Sequence, residues 1–111
     1  MKQATAKTKY VRISPRKARR AAGMVRGMDV ISAILQLKYD KTKGARLIKK
    51  TLDSAIANAE TQLDVERENL SIFEIRVDEG PTMKRAKSRC RGGRSPIMKR
   101  MSHLTVIVAP K

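Results

Sequence analysis

Few side chains in this sequence can do covalent or metal chemistry, and they do not converge. His103 is the only histidine and Cys90 the only cysteine. A zinc site needs three or four ligands drawn from His, Cys and carboxylates, and one of each with distant acids does not assemble it. No cofactor is therefore expected. Acid–base or nucleophilic catalysis needs a base held against its partner. The carboxylates worth testing are Asp53, Glu60 and the pair Asp78-Glu79. Asp53 and Glu60 fall two turns apart on a helical pattern, where solvation explains them, and Asp78-Glu79 stand beside a basic stretch whose Arg and Lys can pair with them. A Gly-rich phosphate loop and a nucleophile elbow are both missing. His103 reads as a structural histidine opening a strand. Cys90, among Arg89, Arg91 and Arg94, admits a redox reading, but with no second thiol it reads more simply as a tolerated small residue. An enzyme is not expected.

The chemistry that remains is that of fixed positive charge. Formal net charge is +16 and the sequence pI about 10.9. Residues 1–28 hold nine bases and no acid, residues 29–81 hold all ten acids with eight bases, and residues 82–111 hold nine bases and again no acid. The middle thus resembles an ordinary soluble fold, while the flanks carry the surplus, as two dedicated contact surfaces would. A compact chain so charged repels itself, and a polyanion is the natural partner. The candidate contacts are Arg16, Lys17, Arg19 and Arg20 in the first flank, and Lys84, Arg85, Lys87, Arg89, Arg91, Arg94, Lys99 and Arg100 in the second. With no Trp, one Phe and two Tyr, stacking of unpaired bases on aromatic platforms is disfavoured, and recognition through phosphate charge and groove shape fits better.

These bases must be positioned by a small fold, a single domain over 1–111. Residues 4–13 read as a strand ending in Tyr10, Val11 and Ile13. Ser14-Pro15 mark a helix start, Ser as a cap and Pro at the first position. Ala18, Ala21, Ala22 and Val25 then form one apolar stripe, and Gly27 closes the helix. Asp29 can cap a short second helix with Val30, Ala33, Ile34 and Leu37 on its apolar side. A long helix over about 42–61 carries Ala45, Ile48, Leu52, Ala55, Ile56 and Ala59. Asp64 to Glu68 read as a loop. Residues 70–78 alternate, with Phe73, Ile75 and Val77 on one face, and 103–109 form a second β-rich run. The expected class is α+β: a small three-stranded antiparallel sheet packed on three helices.

The stretch from Thr82 to Met101 is too basic and too poor in apolar residues to bury. Gly80-Pro81 signal a bend and Gly92-Gly93 a turn. Two readings stay open for the free chain: a disordered arm, or a protruding β-hairpin over 80–103. About 12 residues separate Gly80 from the glycine pair, so such a ribbon would reach roughly 40 Å. A two-stranded ribbon is marginal in water, and either form makes sense if a polyanion supplies packing and counter-charge.

No apolar run approaches a bilayer span, and the N-terminus lacks the apolar stretch of a signal peptide. One cysteine excludes an internal disulfide and suits a reducing compartment, so a cytoplasmic location is expected. A DNA-binding architectural protein would share the charge and the arm. An anionic-membrane binder is the weakest alternative, because the basic helix has Ala on its other face, and no membrane partner is expected.

Four stretches resemble one family, that of large ribosomal subunit protein twenty-two, bacterial type. They are Val77-Asp78-Glu79-Gly80-Pro81-Thr82-Met83-Lys84-Arg85, Ser14-Pro15-Arg16-Lys17-Ala18-Arg19, Ser54-Ala55-Ile56-Ala57-Asn58-Ala59-Glu60 and Lys99-Arg100-Met101-Ser102-His103-Leu104-Thr105-Val106. The resemblance implies a structural constituent of the large subunit that binds its ribosomal RNA and supports assembly. It further implies a hairpin that lines the polypeptide exit tunnel, meets ribosomal protein four near the constriction and bears on macrolide sensitivity. The chain departs from the family pattern near the arm's tip, with Ser88-Arg89-Cys90 where Pro-Arg-Ala is common, and with Gly93-Arg94 and Pro96.

Overall fold

The structure, a computed structural model, describes residues 2–111. The 3.6-residue apolar rows become three helices, α1 (Pro15–Val25), α2 (Val30–Tyr39) and α3 (Lys43–Gln62). Pro15 occupies the first position of α1, but Ser14 makes no side-chain cap; the fixed φ of proline starts the helix without it. Asp29 does not cap α2 with its side chain either. It is drawn into a bridge with Ser71 at the sheet edge, and its carboxylate pairs with Lys111 at 3.2 Å. Thr42 does cap α3, its Oγ1 accepting from the Ala45 amide at 3.3 Å.

The helices pack closely because their inner faces are small. Ala18, Ala21, Ala22, Ala45, Ala55 and Ala59 are all buried, among the larger Ile48, Leu52 and Ile56. At the α1–α3 contact a Cβ on Gly44 would stand 3.3 Å from Ile13 Cδ1 and 3.4 Å from both Ala21 Cβ and the Lys17 carbonyl oxygen. Glycine there lets the two helices approach until their interiors are close-packed.

The strands β1 (Ala4–Val11), β2 (Leu70–Glu79) and, at the C-terminal end, Ser102–Pro110 form an antiparallel sheet with the last in the middle. Between β2 and that central strand lie β3 (Met83–Ser88) and β4 (Arg94–Lys99), paired only with each other; the central strand is therefore β5. α3 packs on β1 and β5, and α1 on β2. The α+β class holds.

The inner face of β2 differs from the alternation read in sequence. Ile72 pairs with Val108 and Glu74 with Ile107, leaving Phe73 as the extra residue of a bulge. Ile72, Ile75 and Val77 are buried, and Phe73 is 52% exposed. A bulge inserts one residue, so every side chain on one side of it changes face relative to strict alternation. A second irregularity between Thr8 and Val11 contains Tyr10 at φ 58. There the Tyr10 amide donates to His103 Nδ1 at 3.1 Å, and the two rings meet edge to face at 5.0 Å. The acceptor role of Nδ1 requires the neutral ring with its proton on Nε2.

Both sheet edges are blunted by helix side chains, which answers the hazard of unpaired strand edges. Asn58 of α3 donates to the Thr5 carbonyl of β1 at 3.0 Å. On β2, Arg19 Nε and Arg26 Nη2 donate to the carbonyls of Val77 and Ile75, each at 3.1 Å.

Ribbon β3–β4 runs from the Met83–Lys99 pair to the Ser88–Arg94 pair. Its tip is a 3₁₀ turn, Cys90–Gly92, with Arg91 at φ 60 and Gly92 at φ 71, closed by the Arg89 amide on the Gly93 carbonyl at 2.7 Å. No residue of β3 or β4 is buried. A compact chain of this length has a radius of gyration of about 13 Å; this one has 17.0 Å, with extents of 63 × 25 × 16 Å.

Two outcomes follow from this packing. Replacing Arg85–Lys99 by a short turn is expected to leave a single cooperative thermal transition, because the excised residues contribute nothing to the core; a lost transition would show that the ribbon holds the fold together. His103→Leu should lower stability by roughly 0.5–1 kcal/mol by removing the acceptor of the Tyr10 amide, while His103→Asn, whose side-chain oxygen can accept in its place, should retain most of it. Denaturant melts of the pair check this.

Candidate nucleic-acid interface

The two basic flanks, far apart in sequence, meet in space. On α1, Pro15, Ala18, Ala21, Ala22 and Val25 face the core, which leaves Arg16, Lys17, Arg19 and Arg20 exposed on the remaining arc. The return of β4 to the sheet brings Lys99 and Arg100 to the same place. A cleft of about 1220 Å³ lies between the entry to α1, the start of α3 and the root of the ribbon.

Eight bases line this cleft against one acid, Glu79: the six just named together with Arg12 and Lys43. That imbalance inside a concave surface focuses a positive field on whatever enters. Ser14 and Pro15 at the start of α1, and Thr42 to Gly44 at the start of α3, also line it, so two helix N-termini add partial positive charge. Lys43 Nζ donates to the Arg12 carbonyl at 2.7 Å, tying the α3 start to the α1 entry. Among the described residues, neither Asp78 nor Glu79 forms an ion pair, so the expected pairing with bases of the arm is absent. The reason is geometric: both lie on β2 with register partners His103 and Ser102, before the ribbon begins. Asp53 and Glu60 instead pair with Lys49 and Arg67 at 3.2 and 3.3 Å, on the surface.

The other six sequence candidates lie out along the ribbon. Residues paired across an antiparallel ladder share a face. Arg85 and Lys87 therefore fall on one side with Met83, Ile97 and Lys99, and Lys84 and Arg94 on the other with Ala86, Pro96 and Met98. Arg89 and Arg91 flank the exposed Cys90 at the tip. The ribbon is thus charged on both faces and around its end. Such a rod suits enclosure by a polyanion better than docking by one side.

Arg19 does two things at once: its Nε is committed to the Val77 carbonyl while the residue remains exposed. Arg12 and Lys43 were not among the sequence candidates. Arg12 belonged to the acid-free first flank and could have been included on that ground, whereas Lys43 sits in the charge-balanced middle and gave no signal. All three aromatic residues are exposed, Tyr10, Tyr39 and Phe73, but none of them lines the cleft. Among the described residues no group of His, Cys, Asp and Glu could hold a metal ion, and no helix is long and apolar enough to cross a membrane.

Residues 6–109 match the family described as ribosomal protein L22p/L17e. The chain is 66% identical to large ribosomal subunit protein uL22 of Protochlamydia amoebophila over 109 residues, 98% of each chain. It is 57% identical to the protein of the same name from Chlamydia abortus and 56% identical to that from Chlamydia trachomatis serovar L2b, each over 106 residues and 96% of both chains. The sequence match runs along nearly the whole chain, and the chain belongs to the ribosomal protein L22p/L17e family, as a structural component of the large ribosomal subunit and not an enzyme.

Proposed function

We propose that this chain binds large-subunit ribosomal RNA at two linked places and thereby supports subunit assembly. The cleft at the ribbon's root grips RNA backbone through Arg16, Lys17, Arg20, Lys99 and Arg100, with Arg12, Lys43 and the free part of Arg19. The protruding β-hairpin, with Lys84, Arg85, Lys87, Arg89, Arg91 and Arg94, threads between RNA segments. In keeping with the family, its tip lines the polypeptide exit tunnel and meets ribosomal protein four near the constriction.

The observation that carries this reading is the convergence of eight bases on one cleft from which a rod charged on all sides departs. Phosphate is the ligand such a surface selects, because each contact releases condensed counterions. The ribbon's exposed, unpacked strands gain from enclosure what a two-stranded sheet lacks alone. Cleft and ribbon together favour a partner that both presents a backbone and surrounds a rod, which folded RNA does and a straight duplex does not.

The test is competition binding of large-subunit ribosomal RNA against excess duplex DNA across a salt series. RNA binding that survives the competitor is expected; displacement by DNA as readily as by RNA would return the architectural-protein alternative. Changing Arg16, Lys17, Lys99 and Arg100 together to Gln should flatten the slope of log K against log salt by about 3, at about 0.7–0.9 per lost phosphate contact. An unaltered slope would remove the cleft from the interface. Arg20→Gln should weaken binding without lowering the melting temperature, while Arg19→Gln should lower both.

A further inference from the structure

α2 differs from the other two helices in carrying apolar side chains on both sides. Val30, Ala33 and Leu37 are buried. On the opposite arc Ile31, Leu35 and Tyr39 follow at four-residue spacing, and they are 40%, 51% and 77% exposed. Lys38 is the helix's only charged residue. A surface helix ordinarily turns a polar face outward, and a contiguous apolar row there marks a contact surface. Beside the row lies a shallow groove of about 390 Å³, lined by Met28, Ser32, Leu35, Gln36, Tyr39 and Asp40.

The charge around this face is mixed and leans acidic, unlike that of the basic cleft: Asp40, Asp64, Glu66 and Glu68 stand against Lys38 and Lys41. The groove's one charged lining residue is Asp40, whose Oδ1 accepts the Thr42 amide at 2.9 Å; that bond holds its carboxyl below the ordinary carboxylate value. The 3₁₀ turn Arg67–Asn69 packs against α2. Asp64, Glu66 and Glu68 in and before that turn are exposed, and among the described residues none of them forms an ion pair, while Arg67 is taken by Glu60. Phosphate would find no gathering of bases here like that in the cleft. A protein segment with apolar side chains and adjoining bases would meet complementary shape and charge, and it would carry the aromatic and aliphatic anchors of a protein interface into register with Leu35 and Tyr39.

We propose that the outer face of α2, Ile31, Leu35 and Tyr39 with the groove beside them, docks a neighbouring protein of the large subunit through an apolar segment flanked by Lys or Arg. This rests on family membership and not on the RNA-binding reading, so the two can fail separately.

The test uses large subunits isolated from cells in which this chain is the sole copy, with the photo-crosslinking residue p-benzoylphenylalanine at position 35 and, in a second preparation, at position 89 on the hairpin tip. Irradiation followed by mass spectrometry should give at position 35 an adduct to one ribosomal protein, on a peptide with Lys or Arg within a few residues of an apolar attachment site. An adduct to ribosomal RNA, to a second copy of this chain or to an acidic peptide overturns the proposal, as does the absence of any protein adduct. Position 89 reports on the RNA reading independently. With the probe moved to position 36, Ile31→Glu combined with Leu35→Glu should lower the adduct yield about tenfold, the loss that two anchor side chains bring, while the free protein melts as before. An unchanged yield would equally overturn it.

Discussion

The arrangement depends on how β2 and β5 close below the ribbon. Glu79 pairs with Ser102, the Gly80 amide donates to the Met101 carbonyl at 2.9 Å, and a side chain at Gly80 would be crowded: a Cβ would lie 3.2 Å from the Met101 carbonyl carbon and oxygen, and 3.3 Å from His103 Cε1. Here the chain leaves the sheet and here it returns. Buried Ser102 anchors the same point from inside, its Oγ donating to the Ile13 carbonyl at 2.6 Å. That bond ties the root of the ribbon to the segment that opens α1. The direction of the ribbon, the position of Lys99 and Arg100, and the mouth of the cleft are all set by these few contacts.

A chain of net charge +16 also has to manage its own repulsion. It does so by keeping the charge-balanced middle in α2, α3 and β2, and by sending the surplus outward. The first flank spreads its bases over the open arc of α1, and the second strings them along a ribbon whose tip is far from the sheet. Only at the ribbon's root do the two sets approach each other. Bringing eight like charges together is unfavourable in the free protein, so the cleft is a place where the fold gives up some stability. The outer face of α2 is the counterpart: an exposed apolar row, Ile31, Leu35 and Tyr39, with Lys38 the helix's one charged residue.

Much of this could be read from residue order, and what could not has identifiable causes. The three helices follow from apolar spacing alone, and the α3 cap at Thr42 was within the predicted boundary. Two other expected caps, Ser14 and Asp29, lack their side-chain bonds, because proline supplies one helix start and a sheet-edge bridge claims the other residue. Phe73 faces the opposite way from its place in the alternation because a bulge leaves no mark in an alternating pattern. The bases were legible as candidates but their meeting was not: a cleft formed by residues around position 16 and position 100 is a property of the β1–β5 and β2–β5 pairings. Lys43 could be found only after the start of α3 was seen beside Arg12. Arg26 carries a role that charge counting hides, since it closes a strand edge instead of adding to a contact surface.

The sheet has its last strand in the middle. β1 and β2 are not paired with each other; within the sheet each pairs only with β5, with Ala4 opposite Val108 and Leu70 opposite Pro110. During synthesis the chain therefore emerges with its first strand, its helices and its basic flank already made but with no sheet to receive them, until residues 102–110 have been added. Helices can form early from local contacts, whereas the sheet must wait for pairings that span almost the whole chain. A newborn molecule thus passes through a stage in which its cations are displayed and its interior is unfinished, and any nucleic acid encountered then meets an unclosed cleft. Completion of the final strand is the event that turns a sticky, basic polypeptide into a shaped one.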